Sequence, residues 1–291
     1  MLECSVSKDS SHNIYYNQYH DYSVDIWWAI LLGLIQGLTE WLPISSSGHL
    51  ALAQHFMGGK PPVLFDITVH MGSVIVLIVY FWKDIKQVLG SLVSKDKKSK
   101  EVKAGRRIAW FIVLALIPTG IIGLIIDKFV EELVFTSLPI LGTCFIMTGV
   151  ILIMTLWARP RKDIFKMSNQ DAALIGVAQG LAVLPALSRS GSTIGIGLLR
   201  GLKTETAGKF SFLLAIPAVL GAMLISVKDF MDAGSDINVA AFAIGTLVSM
   251  VVSYATLVLL MRILKGKGFH NFAYYCFAIG AIVLVLSALG Y

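Results

Sequence analysis

The sequence predicts an all-α polytopic membrane protein, an inverted-topology repeat of six spanning helices plus two re-entrant helical hairpins. Three observations predict it. The chain of 291 residues is 56% hydrophobic and only 14% charged, with a mean hydropathy of +0.76, where a soluble domain carries about 25% charged residues. Apolar runs of membrane-spanning length recur along it. Two further apolar regions are interrupted by proline, serine and glycine, and the two interruptions resemble each other.

Residues 1–25 are polar and rich in tyrosine, asparagine and histidine. They lack the basic and apolar regions of a signal peptide and read as an N-terminal tail. Residues 26–290 read as one membrane domain, with one repeat at about 27–157 and the other at about 170–290. Six runs are long enough to span, at about 66–83, 107–126, 138–157, 208–227, 238–262 and 271–290. Regions 27–57 and 171–205 are apolar but broken in the middle. The second arm of the first, 46–57, is about 18 Å long as a helix, too short to cross a hydrocarbon core of about 30 Å. Both regions are therefore read as re-entrant hairpins, whose non-helical backbone needs protein or a wet cavity around it.

The loops set the orientation. Three of them, 83–107, 159–166 and 262–267, hold 16 of the 24 Lys and Arg residues. The alternate loops, 127–137 and 228–238, carry Asp127, Glu131, Glu132, Asp229, Asp232 and Asp236 against one lysine each. The positive-inside rule places the basic loops in the cytoplasm, so the first hairpin enters from outside and the second from inside. The net charge of +6 sits in short loops and gives no nucleic-acid reading. Cys4, Cys144 and Cys276 show neither disulfide nor zinc spacing.

The repeat is visible in the breaks. QGLTEWLPISSSG runs from Gln36 to Gly48, and QGLAVLPALSRSG from Gln179 to Gly191. The stretch 65–85 also aligns without gaps to 210–230, sharing a late Lys-Asp. Each half is one hairpin plus three spans. Three is odd, so the halves are inverted, and ligand sites in such plans lie at the repeat interface. The first break brings Glu40, Ser45, Ser46, Ser47 and His49, and the second Ser188, Arg189, Ser190, Ser192 and Thr193. Helices restart after each break, at the SGH and SGS stretches. Two helix N-termini and a guanidinium make an anion site, most naturally for phosphate. An intramembrane Arg or Glu costs about 2.5–3.5 kcal/mol, which marks each as a functional candidate. Arg189 also reads as an ion-pair partner of Glu40, and His70, within a span, as a structural or supporting residue.

QGLTEWLPISSSGHL and PALSRSGSTIGIG resemble the two signature motifs of the undecaprenyl-diphosphatase family, also called the bacitracin-resistance proteins. The resemblance covers roughly residues 26–290. It implies a membrane phosphatase that hydrolyses undecaprenyl diphosphate to the monophosphate and recycles the lipid carrier for cell-wall glycans. It further implies a multi-pass protein of the bacterial inner membrane, a site facing outside, and a divalent cation, Mg²⁺ or Ca²⁺. Its partners are then the polyprenyl diphosphate substrate and membrane lipids, with a homodimer left open. The family's acidic motif falls on Gln36 and Glu40, its serine–histidine motif on Ser45, Ser46, Ser47 and His49, and its arginine motif on Ser188, Arg189, Ser190 and Thr193. Some members carry Glu where this chain has Gln36, so one carboxylate is missing, and Gln36 offers a carbonyl oxygen in its place.

On this reading Arg189 and the helix N-termini hold the phosphates, and Ser46, then Ser45, is the preferred nucleophile. His49, one turn after Ser46, is a base or acid. Glu40 holds the metal or orients His49. A transporter or flippase of an anionic polyprenyl phosphate lipid is the rival reading, and it needs no nucleophile. The acid-phosphatase type of lipid phosphatase is set aside, because Asp is absent from 237 onward and His270 is the only histidine after Arg189.

Overall fold

Proline has no N–H to donate and pushes the residue before it out of the helical region. Helices stop and restart around Pro43 and Pro185. The structure, a computed structural model, describes residues 24–57, 61–130, 137–231, 238–266 and 268–290. The N-terminal tail up to residue 23, Lys267 and the middles of the two acidic loops lie outside these residues. The first broken region forms α1 (Ile26–Thr39) and α2 (Ser46–Met57). Then come α3 (Val63–Tyr80), α4 (Trp82–Val93), α5 (Lys100–Val130) and α6 (Leu138–Met154). The second broken region forms α7 (Asn169–Leu181) and α8 (Arg189–Leu199), followed by α9 (Thr204–Met231), α10 (Val239–Lys265) and α11 (Phe272–Ala288). The described residues are helical, with one isolated bridge between Lys162 and Leu202. The short arms restart at Ser46 and Arg189, one residue before the expected Ser47 and Ser190.

Among the described residues, five helices are by length and composition apolar enough to cross a membrane, and α3 with α4 makes a sixth if the pair is one bent span. The sequence places a loop over 83–107. Instead, α3 ends at Tyr80, the chain bends by 68°, and α4 follows. Val88 and Ser91 face inward, while Trp82, Leu89, Leu92 and Val93 are exposed. An exposed apolar face beside lysines suits a helix lying in the membrane interface. Counting charge hides this helix, although its apolar residues recur at helical spacing. The span expected to begin near 107 likewise begins at Lys100.

Small residues set the helix pairs. A Cβ at Gly33 of α1 would collide with the Gly245 carbonyl of α10, and one at Gly37 would lie 2.7 Å from the Ser249 carbonyl oxygen. On the other side, a Cβ at Gly176 of α7 would collide with Ala115 of α5, and one at Gly180 would meet Ile122 at 2.8 Å. Four-residue glycine spacing of this kind lets helix backbones touch inside a membrane. Hydroxyls add polar contacts: Thr256 Oγ1 donates to the Gly37 carbonyl (2.7 Å) and Thr119 Oγ1 to that of Gly176 (2.9 Å). Each first arm thus packs on a span from the other half of the chain. Helices α6 and α11 pack on each other, with a Cβ at Gly280 only 2.9 Å from the Gly142 carbonyl oxygen.

The basic segments gather at one end. Arg106 donates to the carbonyls of Ser91 and Ser94 (2.8 and 2.7 Å), and Arg107 to those of Ile164 and Met167 (3.1 and 2.9 Å). Lys209 pairs with Asp84. Asp171 is fully buried and holds both Lys162 Nζ (2.9 Å) and Arg200 Nε (2.8 Å). Two cations offset the desolvation of one carboxylate and pin the segment before α7 to the turn after α8.

Candidate active site

The two breaks meet. Ser190 of α8 donates to the Leu42 carbonyl (3.1 Å), and the Ser188 N–H to Thr148 Oγ1 of α6 (3.1 Å). Each break carries a non-glycine residue in the left-handed region, Ser45 (φ 70°) and Ala186 (φ 64°). Such a residue costs about 1–3 kcal/mol and persists only where its surroundings fix it. At Ser45 the fixing contacts are visible: its Oγ accepts from the Gly48 N–H (3.3 Å), and its carbonyl accepts from the His49 ring (2.7 Å).

Glu40 is the centre. It sits at the end of α1, 8% exposed. Its Oε2 accepts from Ser46 Oγ at 2.5 Å and from Gln36 Nε2 at 2.9 Å. Its Oε1 pairs with the Arg189 guanidinium, which arrives from the second hairpin. His70 Nε2 of α3 lies 3.7 Å from Oε2, and the Arg189 guanidinium lies over the Trp41 ring at 5.7 Å. A buried carboxylate needs such partners, since an unpaired charge there costs several kcal/mol.

The other expected residues serve the breaks. Ser47 Oγ lies 3.2 Å from Ser45 Oγ, and Ser188 Oγ the same distance from Ser190 Oγ. Ser188 caps α8 by accepting from the Gly191 N–H at 3.1 Å. Thr193 Oγ1 donates to the Arg189 carbonyl at 2.8 Å and meets Ser211, fixing the turn that carries the guanidinium.

One expected pairing changes. His49 follows Ser46 by a turn, yet its ring is engaged elsewhere. Nδ1 donates to the Ser45 carbonyl, which only accepts, so in the neutral ring Nε2 is the acceptor for the Tyr275 hydroxyl at 2.7 Å. The hydroxyl of Ser46 is bonded to Glu40 instead, and the ring that lies beside Glu40 is that of His70. From sequence alone His70 has only a structural or supporting place, and Trp41, Tyr275 and Thr148 are not among the expected site residues. Trp41 follows Glu40 directly, a hint of its place, whereas Tyr275 and Thr148 sit in unbroken apolar runs that carry no signal.

One oxygen of the donor set is left without a partner. Among the described residues no group of three His, Cys, Asp or Glu side chains is placed to hold a metal ion. Beside Glu40, however, Gln36 is fully buried and its Oε1 has no partner. One carboxylate and one amide oxygen fit an ion such as Mg²⁺ that takes its remaining ligands from substrate phosphates and water.

Residues 29–282 match the family model described as the bacitracin resistance protein BacA. The undecaprenyl-diphosphatase of Desulforapulum autotrophicum is 39% identical over 273 residues, which are 90% of this chain and 98% of that one. That of Carboxydothermus hydrogenoformans is 41% identical over 267 residues, 90% and 97% of the two chains. That of Methanosphaera stadtmanae is 38% identical over 280 residues, 91% and 99%. With the match running through both breaks and every helix, the chain belongs to the bacitracin resistance protein BacA family.

Proposed function

We propose that this membrane protein hydrolyses undecaprenyl diphosphate to undecaprenyl phosphate and inorganic phosphate, with Ser46, Glu40 and Arg189 as its reacting centre. One observation carries the assignment of roles: Ser46 Oγ donates to one oxygen of Glu40 while Arg189 holds the other. A hydroxyl bonded to a carboxylate beside a guanidinium is a nucleophile with its base and a phosphate clamp. Ser46 Oγ attacks the terminal phosphorus and its proton passes to Glu40 Oε2. The anhydride P–O bond breaks, and the polyprenyl monophosphate leaves with the electron pair. Glu40 passes that proton to the departing monophosphate; water then attacks the phosphoserine, its proton going to Glu40 and on to Ser46 Oγ as inorganic phosphate leaves. Arg189 and the N–H groups that open α2 and α8 carry the phosphate charge. His49, locked between Ser45 and Tyr275, shapes the wall of the site and keeps Ser45 in its strained conformation.

Glu40 and the Gln36 carbonyl oxygen are the residues to hold a divalent cation, Mg²⁺ or Ca²⁺, which would supply further neutralisation of the diphosphate. The halves are inverted, the basic end faces the cytoplasm of the bacterial inner membrane, and phosphate leaves to the outside. The gathering of basic segments at one end supports this orientation. Inorganic phosphate released from undecaprenyl diphosphate by the purified protein, with and without chelator, tests the reading. Binding or movement of the lipid without phosphate release would assign it to transport instead.

A further inference from the structure

An apolar groove of about 490 Å³ opens beside the first break. Leu42 and Ile44 of the break line it with Ile263, Phe272 and Tyr275 from the ends of α10 and α11, and Gly268 from the turn between them. Among the described residues no charged side chain lines it, and its volume is that of a ligand pocket rather than a packing defect. It joins the reacting centre at two points. Leu42 and Ile44 lie in the chain between Glu40 and Ser46. Tyr275 stacks on His49 at 5.7 Å and hydrogen-bonds its Nε2.

We infer that this groove takes the first isoprene units of the substrate's tail, with Tyr275 as the wall between tail and His49. The inference rests on the phosphatase reading above. A chain attached to a phosphate at Ser46 leaves the break past Leu42 and Ile44, and the groove begins there. The groove then continues to Ile263 and Gly268, beside Arg262 and Lys265. The tail therefore runs toward the basic end of the fold, away from the face where phosphate is proposed to leave. Ordinary acyl chains gain from the same apolar walls, but they carry no diphosphate to anchor them at the break.

Gly268 allows a clean test. Its backbone is at φ −92° and ψ 6°, open to any side chain. A Cβ there would have Asn271 Nδ2 at 3.5 Å and Ile263 Cγ2 at 3.9 Å, ordinary contacts. Gly268→Phe fills the groove without disturbing the site. It should raise KM for undecaprenyl diphosphate about tenfold, equivalent to roughly two buried methylenes, with kcat retained. Gly120→Phe, in open space on an exposed face of α5, should change neither. A second measurement does not depend on the variant: undecaprenyl diphosphate bearing a diazirine in its second isoprene unit. It should cross-link to the break and to the α10–α11 corner, competed by unlabelled undecaprenyl diphosphate but not by excess phospholipid. Cross-links elsewhere, equal competition by phospholipid, or an unchanged KM in Gly268→Phe each overturn the assignment. Absence of phosphate release by the unaltered protein, with the same cross-links in place, overturns the phosphatase reading and leaves the groove assignment standing.

Discussion

In the first hairpin Ser45 accepts from the Gly48 N–H and lies 3.2 Å from Ser47; in the second Ser188 accepts from the Gly191 N–H and lies 3.2 Å from Ser190. Helix α2 opens at Ser46 and α8 at Arg189, each two residues before its glycine. The caps are alike, although the left-handed residue is Ser45 in the first break and Ala186, two aligned positions earlier, in the second, where Ser188 is extended; the side chains differ where the charges are. Four residues after Gln36 comes Glu40, and four after Gln179 comes Val183. Gln36 finds Glu40, whereas neither side-chain polar atom of the buried Gln179 has a partner. The first residue of the restarted helix is a hydroxyl in one hairpin and a guanidinium in the other, and both reach the same carboxylate. A shared scaffold thus supplies two helix openings, and the divergence of a few positions supplies a carboxylate, a hydroxyl and a guanidinium.

The comparison breaks most sharply at Ser46. If the first opening holds the nucleophile, Ser46→Ala should lower kcat by about 10⁴-fold or more while protein level is kept. Retention of a tenth of the activity or more would return the attack to water and leave the two openings equivalent. Arg189 is next. Arg189→Lys keeps a charge but loses the planar fork, and kcat/KM should fall by about 10²–10³-fold. Arg189→Ala should in addition destabilise the fold by about 3–5 kcal/mol, because the buried Glu40 loses its guanidinium and Oε1 is left without that partner. Activity near that of the unaltered protein in both variants makes Arg189 purely structural.

The glutamines sharpen the comparison further. Gln36→Glu adds a charged oxygen beside Glu40, four residues on along the same helix face. If the first hairpin holds the cation, the half-saturating Mg²⁺ or Ca²⁺ concentration for phosphate release should drop severalfold. An unchanged or weaker cation dependence would falsify the ligand role, with the added carboxylate merely repelling Glu40. The smallest effect is expected at Gln179. Gln179→Leu removes a buried, unpartnered amide, so activity should stay and Tm should rise by about 2 °C. A clear loss of activity would show that the second hairpin also uses its glutamine.

Much of this site is legible in the chain because its signals are local. Proline, the serine runs and the glycines mark the breaks over a dozen residues, and Glu40 and Arg189 stand out as charges in apolar surroundings. The bend after Tyr80 and helix α4 are less legible, because their lysines and apolar residues share one short stretch and charge masks periodicity. His49 is legible as a site residue, but its partner is not. A residue one turn after Ser46 is near it along the helix axis, and the ring turns toward Tyr275 because the Ser45 carbonyl holds Nδ1.

By itself the sequence determined that apolar helices cross or enter a membrane, that two of them break, and that the breaks share a pattern, because length, hydropathy and turn chemistry act over neighbouring residues. Only the tertiary structure decided which groups touch. Glu40 meets Arg189 across 149 residues and His49 meets Tyr275 across 226. Those meetings depend on α1 closing on α10, α7 on α5, and α6 on α11, and the close approach of glycine-lined backbones is what sets the distance between the two breaks.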